Sequence, residues 1–486
     1  MAQVEKYEET PPTIYISLEE DASKELPSYP NTPNINRTSL ELTPTPSVTP
    51  TLLTTPSPSD VRFQNAQLEC GDIVSQDPRA HRYSEGGLKA NMTVIGAFIG
   101  LFCTFGQMNA FGTFQAWYAA HQLSHMPAST ISWIGSLQLW IFFFSGAPIG
   151  RLFDAYGPTW LMFAGTLCYV AGMIALSFST KYYHYILSQG ILLGLGVGLI
   201  FYPTLSSIST HFSKYRATAL GIAIAGSGLG GVIYPITFRA LFEGVGFGWG
   251  VRISGLTSGV GCILTTLMVT SLSSHSNAKH FDLKTITDSR FIFLVIGSCF
   301  VALGIFIPFF YVVDYTRHLG IPDHIAFYLL AVMNAGGVLG RIAPAYVSDT
   351  IGRFNLLTPA AFLSGLSCVT LWLFLASNTG GQELALAGIV VFSVVFGFFS
   401  GAFISLVNPC VAQISDIGII GTRIGVLYSV ISFPSLFGGP AAGALLIREH
   451  GSYTAMIAFS GTTLMFGSVF LLAAKLRINE SILARV

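Results

Sequence analysis

Phe291-Ile-Phe-Leu-Val-Ile-Gly-Ser-Cys-Phe-Val-Ala-Leu-Gly-Ile-Phe-Ile-Pro-Phe-Phe310 runs for twenty residues without a charged side chain. As a helix rising 1.5 Å per residue it would be about 30 Å long, the thickness of a bilayer's hydrocarbon core. Its apolar residues keep to no single stripe, so neither face of such a helix suits water. Ala385–Val407 has the same character. Working outward from these two, the apolar runs fall at about 91–118, 129–149, 159–178, 183–206, 217–241, 250–271, 290–314, 324–346, 355–376, 384–408, 417–446 and 453–475. The expected fold class is an all-α membrane protein of twelve transmembrane helices in two pseudo-symmetric six-helix bundles.

Composition agrees. Of the 486 residues 51% are hydrophobic and 10% charged, against about 25% charged in soluble domains. The net charge of zero implies no long-range attraction to nucleic acid. Six cysteines, from Cys103 to Cys410, lie in or beside apolar runs and the seventh, Cys70, precedes them; none has metal-ligand spacing, so no metal and no cofactor is expected. No apolar signal segment opens the sequence, and the first span is expected to direct insertion.

The expected organisation is a disordered Ser/Thr/Pro-rich tail over 1–88, which holds eleven of the 23 prolines. An N-terminal six-helix half follows over 89–272, then a short linker over 273–289, a C-terminal half over 290–475 and a tail over 476–486. Basic residues fall on one set of loops by about three to one, which puts both termini in the cytoplasm, most simply at the plasma membrane.

The halves echo each other. Gly150-Arg-Leu-Phe-Asp-Ala-Tyr-Gly157 follows span 2, and Ala345-Tyr-Val-Ser-Asp-Thr-Ile-Gly-Arg353 follows span 8. Asp154 and Asp349, like Gly157 and Gly352, are 195 positions apart. Lys214-Tyr-Arg-Ala-Thr-Ala-Leu-Gly221 leads into span 5 and Gly421-Thr-Arg-Ile-Gly425 into span 11. Such a duplication is the architecture of alternating-access transporters. Gly150, Asp154, Gly157, Asp349, Gly352 and Arg353 read as a gating motif: the glycines allow tight reversals, and the carboxylates can hold helix ends or pair with Arg216 and Arg423. A plain helix stop would explain one copy better than two.

The Gly-x-Leu-x-Asp-x-x-Gly repeat resembles the loop signature of the major facilitator superfamily. Glu85-Gly86-Gly87-Leu88, Asn109-Ala-Phe-Gly-Thr-Phe114 and Phe212-Ser-Lys-Tyr-Arg-Ala-Thr-Ala-Leu-Gly221 with Ala225-Gly-Ser-Gly228 are similar to signatures of the monocarboxylate porter family, in its fungal form. The resemblance covers essentially 85–475. It implies a substrate-carboxylate arginine at Arg341. It also marks two departures: the lysine that animal lactate carriers use in helix 1 is Asn109 here, and their acid four residues before the arginine is Gly337. The proton relay of those carriers is therefore not carried over.

From its position, Arg341 lies eight residues before Asp349, about 12 Å from the membrane edge. It either binds an anion or snorkels to water or Asp349; mid-membrane an unpaired charge costs roughly 2.5–3.5 kcal/mol. Asn109, Tyr202, Tyr311 and Asn334 join it as candidate substrate-binding residues, beside further polar positions Gln107, Gln138, Tyr234 and Tyr428. Asp314 is the candidate proton carrier, or else a solvated helix end. Gly226-Ser-Gly-Leu-Gly-Gly231 matches a dinucleotide fingerprint formally, but inside an apolar run it reads as helix packing.

No nucleophile–base pair, phosphate loop or ATP-coupling motif is evident, so the chain is expected not to be an enzyme but a secondary transporter. The leading expectation is alternating-access transport of a small organic anion, a monocarboxylate, with a co-transported proton as a symport partner. An alternative is export or import of a larger weakly acidic or neutral metabolite, which Asn109 and Gly337 favour. A non-transporting sensor is the minor one. The expected partners are a small-molecule substrate and the lipid bilayer.

Overall fold

The computed structural model describes residues 85–272, 287–377, 382–481 and 484–485. The expected tail up to residue 84 and most of the expected linker fall outside them. Among the described residues twelve helices are long and apolar enough to cross a membrane. They are α1 (Leu88–Ala120), α2 (Thr130–Tyr156), α3 (Pro158–Ser177), α4 (Tyr182–His211), α5 (Arg216–Val245), α6 (Phe247–Met268), α7 (Ser289–His318), α8 (Tyr328–Ile351), α9 (Arg353–Leu375), α10 (Glu383–Gln413), α11 (Ile417–Arg448) and α12 (Thr454–Leu476). The bounds depart by a few residues from the apolar runs, chiefly because helical geometry continues into the polar ends that hydropathy leaves out.

Two turns are set by glycine. Gly157 alone separates α2 from α3, at φ 80°, and Pro158 opens α3. Gly352 alone separates α8 from α9, at φ 114°. A side chain at either φ would be strained, whereas glycine is not. α1 is interrupted, first at Thr104 and again at Asn109–Ala110, where the Ala110 N–H donates to the Gln107 carbonyl instead of one a full turn back. That irregular turn puts Asn109 at the middle of the bundle.

Lipid is as apolar as leucine, so close approach of small residues replaces hydrophobic collapse as the packing force. In the first half α1 lies against α5: a Cβ on Gly106 would come 2.7 Å from the Gly230 Cα, and Gly226 abuts the Phe98 carbonyl. The span that imitates a dinucleotide fingerprint is thus a packing surface. In the second half Gly340 and Gly397 bring α8 onto α10 backbone to backbone, and Gly297 and Gly467 do so for α7 and α12. The two halves meet along α2–α11 and α5–α8. Gly146 and Gly425 touch across the first seam, and Gly221 lies on the Arg341 carbonyl across the second.

Gly230→Val should overpack the α1–α5 contact and cost about 1–3 kcal/mol, seen as a lower melting temperature in detergent. Gly244→Ala, with nothing within 4 Å of the added Cβ, should leave it unchanged.

Candidate substrate site and inter-half latch

A helix begins with N–H groups that have no partner within the helix, and its dipole favours an anion there. Both fifth helices of the halves begin this way, and each receives a carboxylate from the other half. Asp154, at the end of α2, accepts from the Gly421 N–H (3.0 Å), the Thr422 N–H (2.7 Å) and the Thr422 hydroxyl (2.6 Å). Asp349, at the end of α8, accepts from the Ala217 N–H (3.1 Å), the Thr218 N–H (2.8 Å) and the Thr218 hydroxyl (2.8 Å). The arrangement is the same twice over, down to the threonine.

The expected glycines fit this contact. Gly150 lies against the Gly421 carbonyl, and a Cβ on Gly421 would meet Asp154 Oδ1 at 2.7 Å. Arg353 pairs with Asp349 (3.2 Å) and donates to the Ser213 and Lys214 carbonyls of the opposite half. Arg216 and Arg423 anchor within their own halves. Arg216 Nε donates to the Phe212 carbonyl (2.8 Å), while Arg423 donates to the Ile414 carbonyl and pairs with Asp288 (3.5 Å). Burial pushes the Asp288 carboxyl up, but its bonds to Arg290 and the Arg423 charge outweigh this and hold it below the usual range. The two threonines and Asp288 were missed from the sequence; a threonine in the first turn after each loop was the available signal.

Arg341 is 4% exposed. Its Nη1 donates to the Ser227 hydroxyl at 3.3 Å, its Nε has no partner, and no acidic side chain among the described residues pairs with it. It does not reach Asp349, which α5 and Arg353 occupy. Its Nη1 points into the space that a Cβ on Gly228 of α5 would fill. Asn109 Nδ2 donates to the Ser227 carbonyl (3.3 Å), and Asn334 faces Gly231, whose added Cβ would lie 3.0 Å from Asn334 Oδ1 and 3.4 Å from Asn109 Cβ. Arg341, Asn109 and Asn334 thus gather on one glycine-rich strip of α5. Beyond Asn109 a pocket opens between α1, α5 and α8, with Thr113, Pro235 and Tyr328 in its wall. Ser227 is the member the sequence did not single out.

At Gly337 the fit to α10 is one-sided: a Cβ on Gly401 would crowd the Gly337 backbone, 2.9 Å from its Cα, whereas a Cβ on Gly337 would meet only the Gly397 carbonyl, at an ordinary 3.4 Å.

The other candidates sit apart. Tyr202 is fully buried and its hydroxyl donates to the Phe142 carbonyl (3.0 Å). Tyr311 donates to the Gly439 carbonyl (3.1 Å). Gln107 and Tyr234 belong to a network with Tyr169 and Ser258 inside the first half. Tyr428 accepts from Asn408 (3.0 Å) and stacks on Phe143 across the seam, ring centroids 5.6 Å apart. Phe201, Tyr202 and Phe306 complete an aromatic cluster drawn from both halves. Asp314 is exposed and pairs with Arg317 (3.3 Å).

Twelve spans in two duplicated halves, joined by a reciprocal contact, define the class of two-bundle membrane transporters. The family model of the Major Facilitator Superfamily matches residues 97–391. The chain belongs to that superfamily, and is an integral multi-pass membrane protein and a secondary transporter, not an enzyme. It is 38% identical to the agnestins efflux protein AgnL12 of Paecilomyces divaricatus, over 82% of this chain and 90% of the relative. It is 37% identical to the aspyridones efflux protein apdF of Emericella nidulans, over 82% and 80%. An MFS-type transporter of Ophiocordyceps sp. is 37% identical over 86% and 91%. Among solved structures the human organic anion transporter MFSD10 shares the fold, with TM-score 0.62 and 14% identity over 79% of this chain and 99% of that one. Two of these fungal relatives are named as efflux proteins, and the names do not single out the monocarboxylate porters, nor do they support symport.

Asp154→Asn and Asp349→Asn should each turn an amide toward an N–H and weaken the seam by about 1.5–3 kcal/mol. Spin labels on opposite halves at the latch end should report a larger separated fraction in both variants.

Proposed function

We propose that this chain exports an amphiphilic, weakly acidic metabolite built on an aromatic body, by alternating access. One observation carries the reading: Arg341 is a buried cation without an acidic partner among the described residues. An arginine in that position can bind a carboxylate or enolate through parallel hydrogen bonds, and it cannot discard its charge. Asn109, Asn334 and Ser227 supply neutral donors and acceptors beside it. Phe143, Phe306 and Tyr428, which meet across the seam, suit a cargo with a large flat apolar part once the halves separate there. The named cargoes of the fungal efflux relatives favour a secondary metabolite over the small monocarboxylate that the sequence signatures suggest. Under this reading Gly337 and Asn109 are not lost relay residues but part of a cavity with a single fixed charge.

In the same proposal the latch end faces the cytoplasm, in keeping with the bias of basic residues, and the membrane is the plasma membrane. The halves of the transporter are the units 89–272 and 290–475. Asp154, Asp349, Gly150, Gly157, Gly352 and Arg353 form the gate, braced by Arg216 and Arg423. Asp314, exposed and paired, is given no proton-carrying role, and Tyr202 and Tyr311 support helices instead of touching cargo.

The test is flux from proteoliposomes loaded with a labelled aromatic carboxylate, its methyl ester or lactate. The acid should leave saturably, and Arg341→Gln should slow it about tenfold, equivalent to ~1.4 kcal/mol, while the ester changes little. Saturable lactate flux with none of the aromatic acid would restore the monocarboxylate reading.

A further inference from the structure

Glu85 carries part of the family signature yet touches neither the cargo site nor the latch carboxylates. Its backbone is left-handed, at φ 45°, and Gly86 and Gly87 follow at φ 141° and 89°. A glutamate in that region is strained and persists only where its surroundings hold it. Here they do. The Glu85 N–H donates to the carbonyl of His211, the last residue of α4 (3.1 Å). Its carboxylate accepts from the N–H groups of Ser213 (2.8 Å), Lys214 (2.7 Å) and Tyr215 (3.4 Å), the loop that leads into α5. The hook before α1 therefore closes over the α4–α5 turn at both ends.

Two of those N–H groups belong to peptide units whose carbonyls point the other way, toward Arg353. The peptide joining Ser213 to Lys214 gives its N–H to Glu85 and its C=O to Arg353; the next peptide gives its N–H to Glu85 (3.4 Å) and its C=O to Arg353 (3.5 Å). A negative group at one end of a peptide dipole and a positive group at the other polarise it in the same sense, so each bond strengthens its partner. Glu85 is in the first half and Arg353 in the second. Three and four residues further on, Ala217 and Thr218 offer their N–H groups to Asp349. The second half has a counterpart built with different chemistry. Asp288, just before α7, is bonded to Arg290 (2.9 Å) and to Arg423 (3.5 Å), next to the Gly421 and Thr422 N–H groups that hold Asp154.

We propose that Glu85 is a positioning residue of the latch: through the 213–215 peptides it holds the start of α5 as a ready-made receptor for Arg353 and Asp349, and so sets how much of the time the two halves are locked together. Asp288 does the same for the start of α11. The proposal rests on the latch reading above. It gives the acidic residue of the opening signature a task in the transport cycle although it lies far from Arg341.

Hydrogen–deuterium exchange of the full chain in nanodiscs tests it without any substrate, comparing wild type, Glu85→Gln, Glu85→Asp and Asp154→Asn. Asp154→Asn tests the latch itself: it should speed exchange at Gly421–Thr422 and, because both contacts open together, at Ala217–Thr218. Glu85→Gln should speed exchange not only at 213–215 but also at the distant Gly421–Thr422 pair, by about tenfold. Glu85→Asp, which keeps the charge, should recover much of the difference. Faster exchange confined to 213–215, with Gly421–Thr422 as in wild type, would make Glu85 a local turn cap and overturn the proposal. If Asp154→Asn leaves Ala217–Thr218 unchanged, the two contacts are not one gate, and the latch reading falls together with the role of Glu85. If Glu85→Gln no longer elutes as a single species, Glu85→Asp is read alone: a small residual rise at Gly421–Thr422 that accompanies one at 213–215 would support the proposal, and a rise confined to 213–215 would overturn it.

Discussion

The structure depends on a carboxylate seated on the first turn of a helix that belongs to the other half. The bond uses backbone N–H groups that every helix leaves open at its start, so the receptor requires no special side chain beyond a threonine. At the membrane edge those N–H groups can be taken up by water when the carboxylate leaves, whereas at mid-membrane they would stay unsatisfied. That difference in solvent access explains why the contact is placed at the helix ends and why it can be broken and remade. Asp154 holds the α2–α11 seam and Asp349 the α5–α8 seam, each from the end of its helix.

Glycine decides the remainder of the geometry. The strip from Gly221 to Gly231 lies against α8 through Gly221, against α1 through Gly226 and Gly230, and against the Arg341 guanidinium through Gly228. Opposite sides of α5 thus divide the work: Gly226 and Gly230 serve packing within its half, while Gly221 and Gly228 serve contact between halves and accommodation of the buried cation. Burying Arg341 is unfavourable unless something answers its charge. Ser227 answers it only in part, and the Nε has no hydrogen-bond partner among the described residues.

Much of this was legible from the residues. The twelve spans follow from apolar runs, because lipid excludes any other spanning structure apart from a closed barrel. The pairing of Asp154 with Asp349 follows from spacing alone, since duplicated halves repeat their turns. What the carboxylates hold was less visible: the N–H groups of Gly421, Thr422, Ala217 and Thr218 are backbone, and backbone donors have no signature of their own. Arg341 stood out because a charge inside a span is rare, but Ser227 beside it was one of many serines. Tyr202 and Tyr311 were chosen as aromatic polar residues in spans; their hydroxyls are instead held by the Phe142 and Gly439 carbonyls. The cargo class came from neither source, because periodicity says where a cavity forms and not what fills it.

The fit of α8 to α10 has a consequence for how the cavity can change. A Cβ on Gly397 would run into the Met333 carbonyl and one on Gly401 into the Gly337 backbone, whereas a Cβ on Gly337 would meet only the Gly397 carbonyl, at an ordinary 3.4 Å. The spacing of the two helices is therefore set from the α10 side, and the α8 side has slack. Position 337 is an unlocked door: its residue can gain a first carbon without moving a helix, while the glycines that face it from α10 cannot.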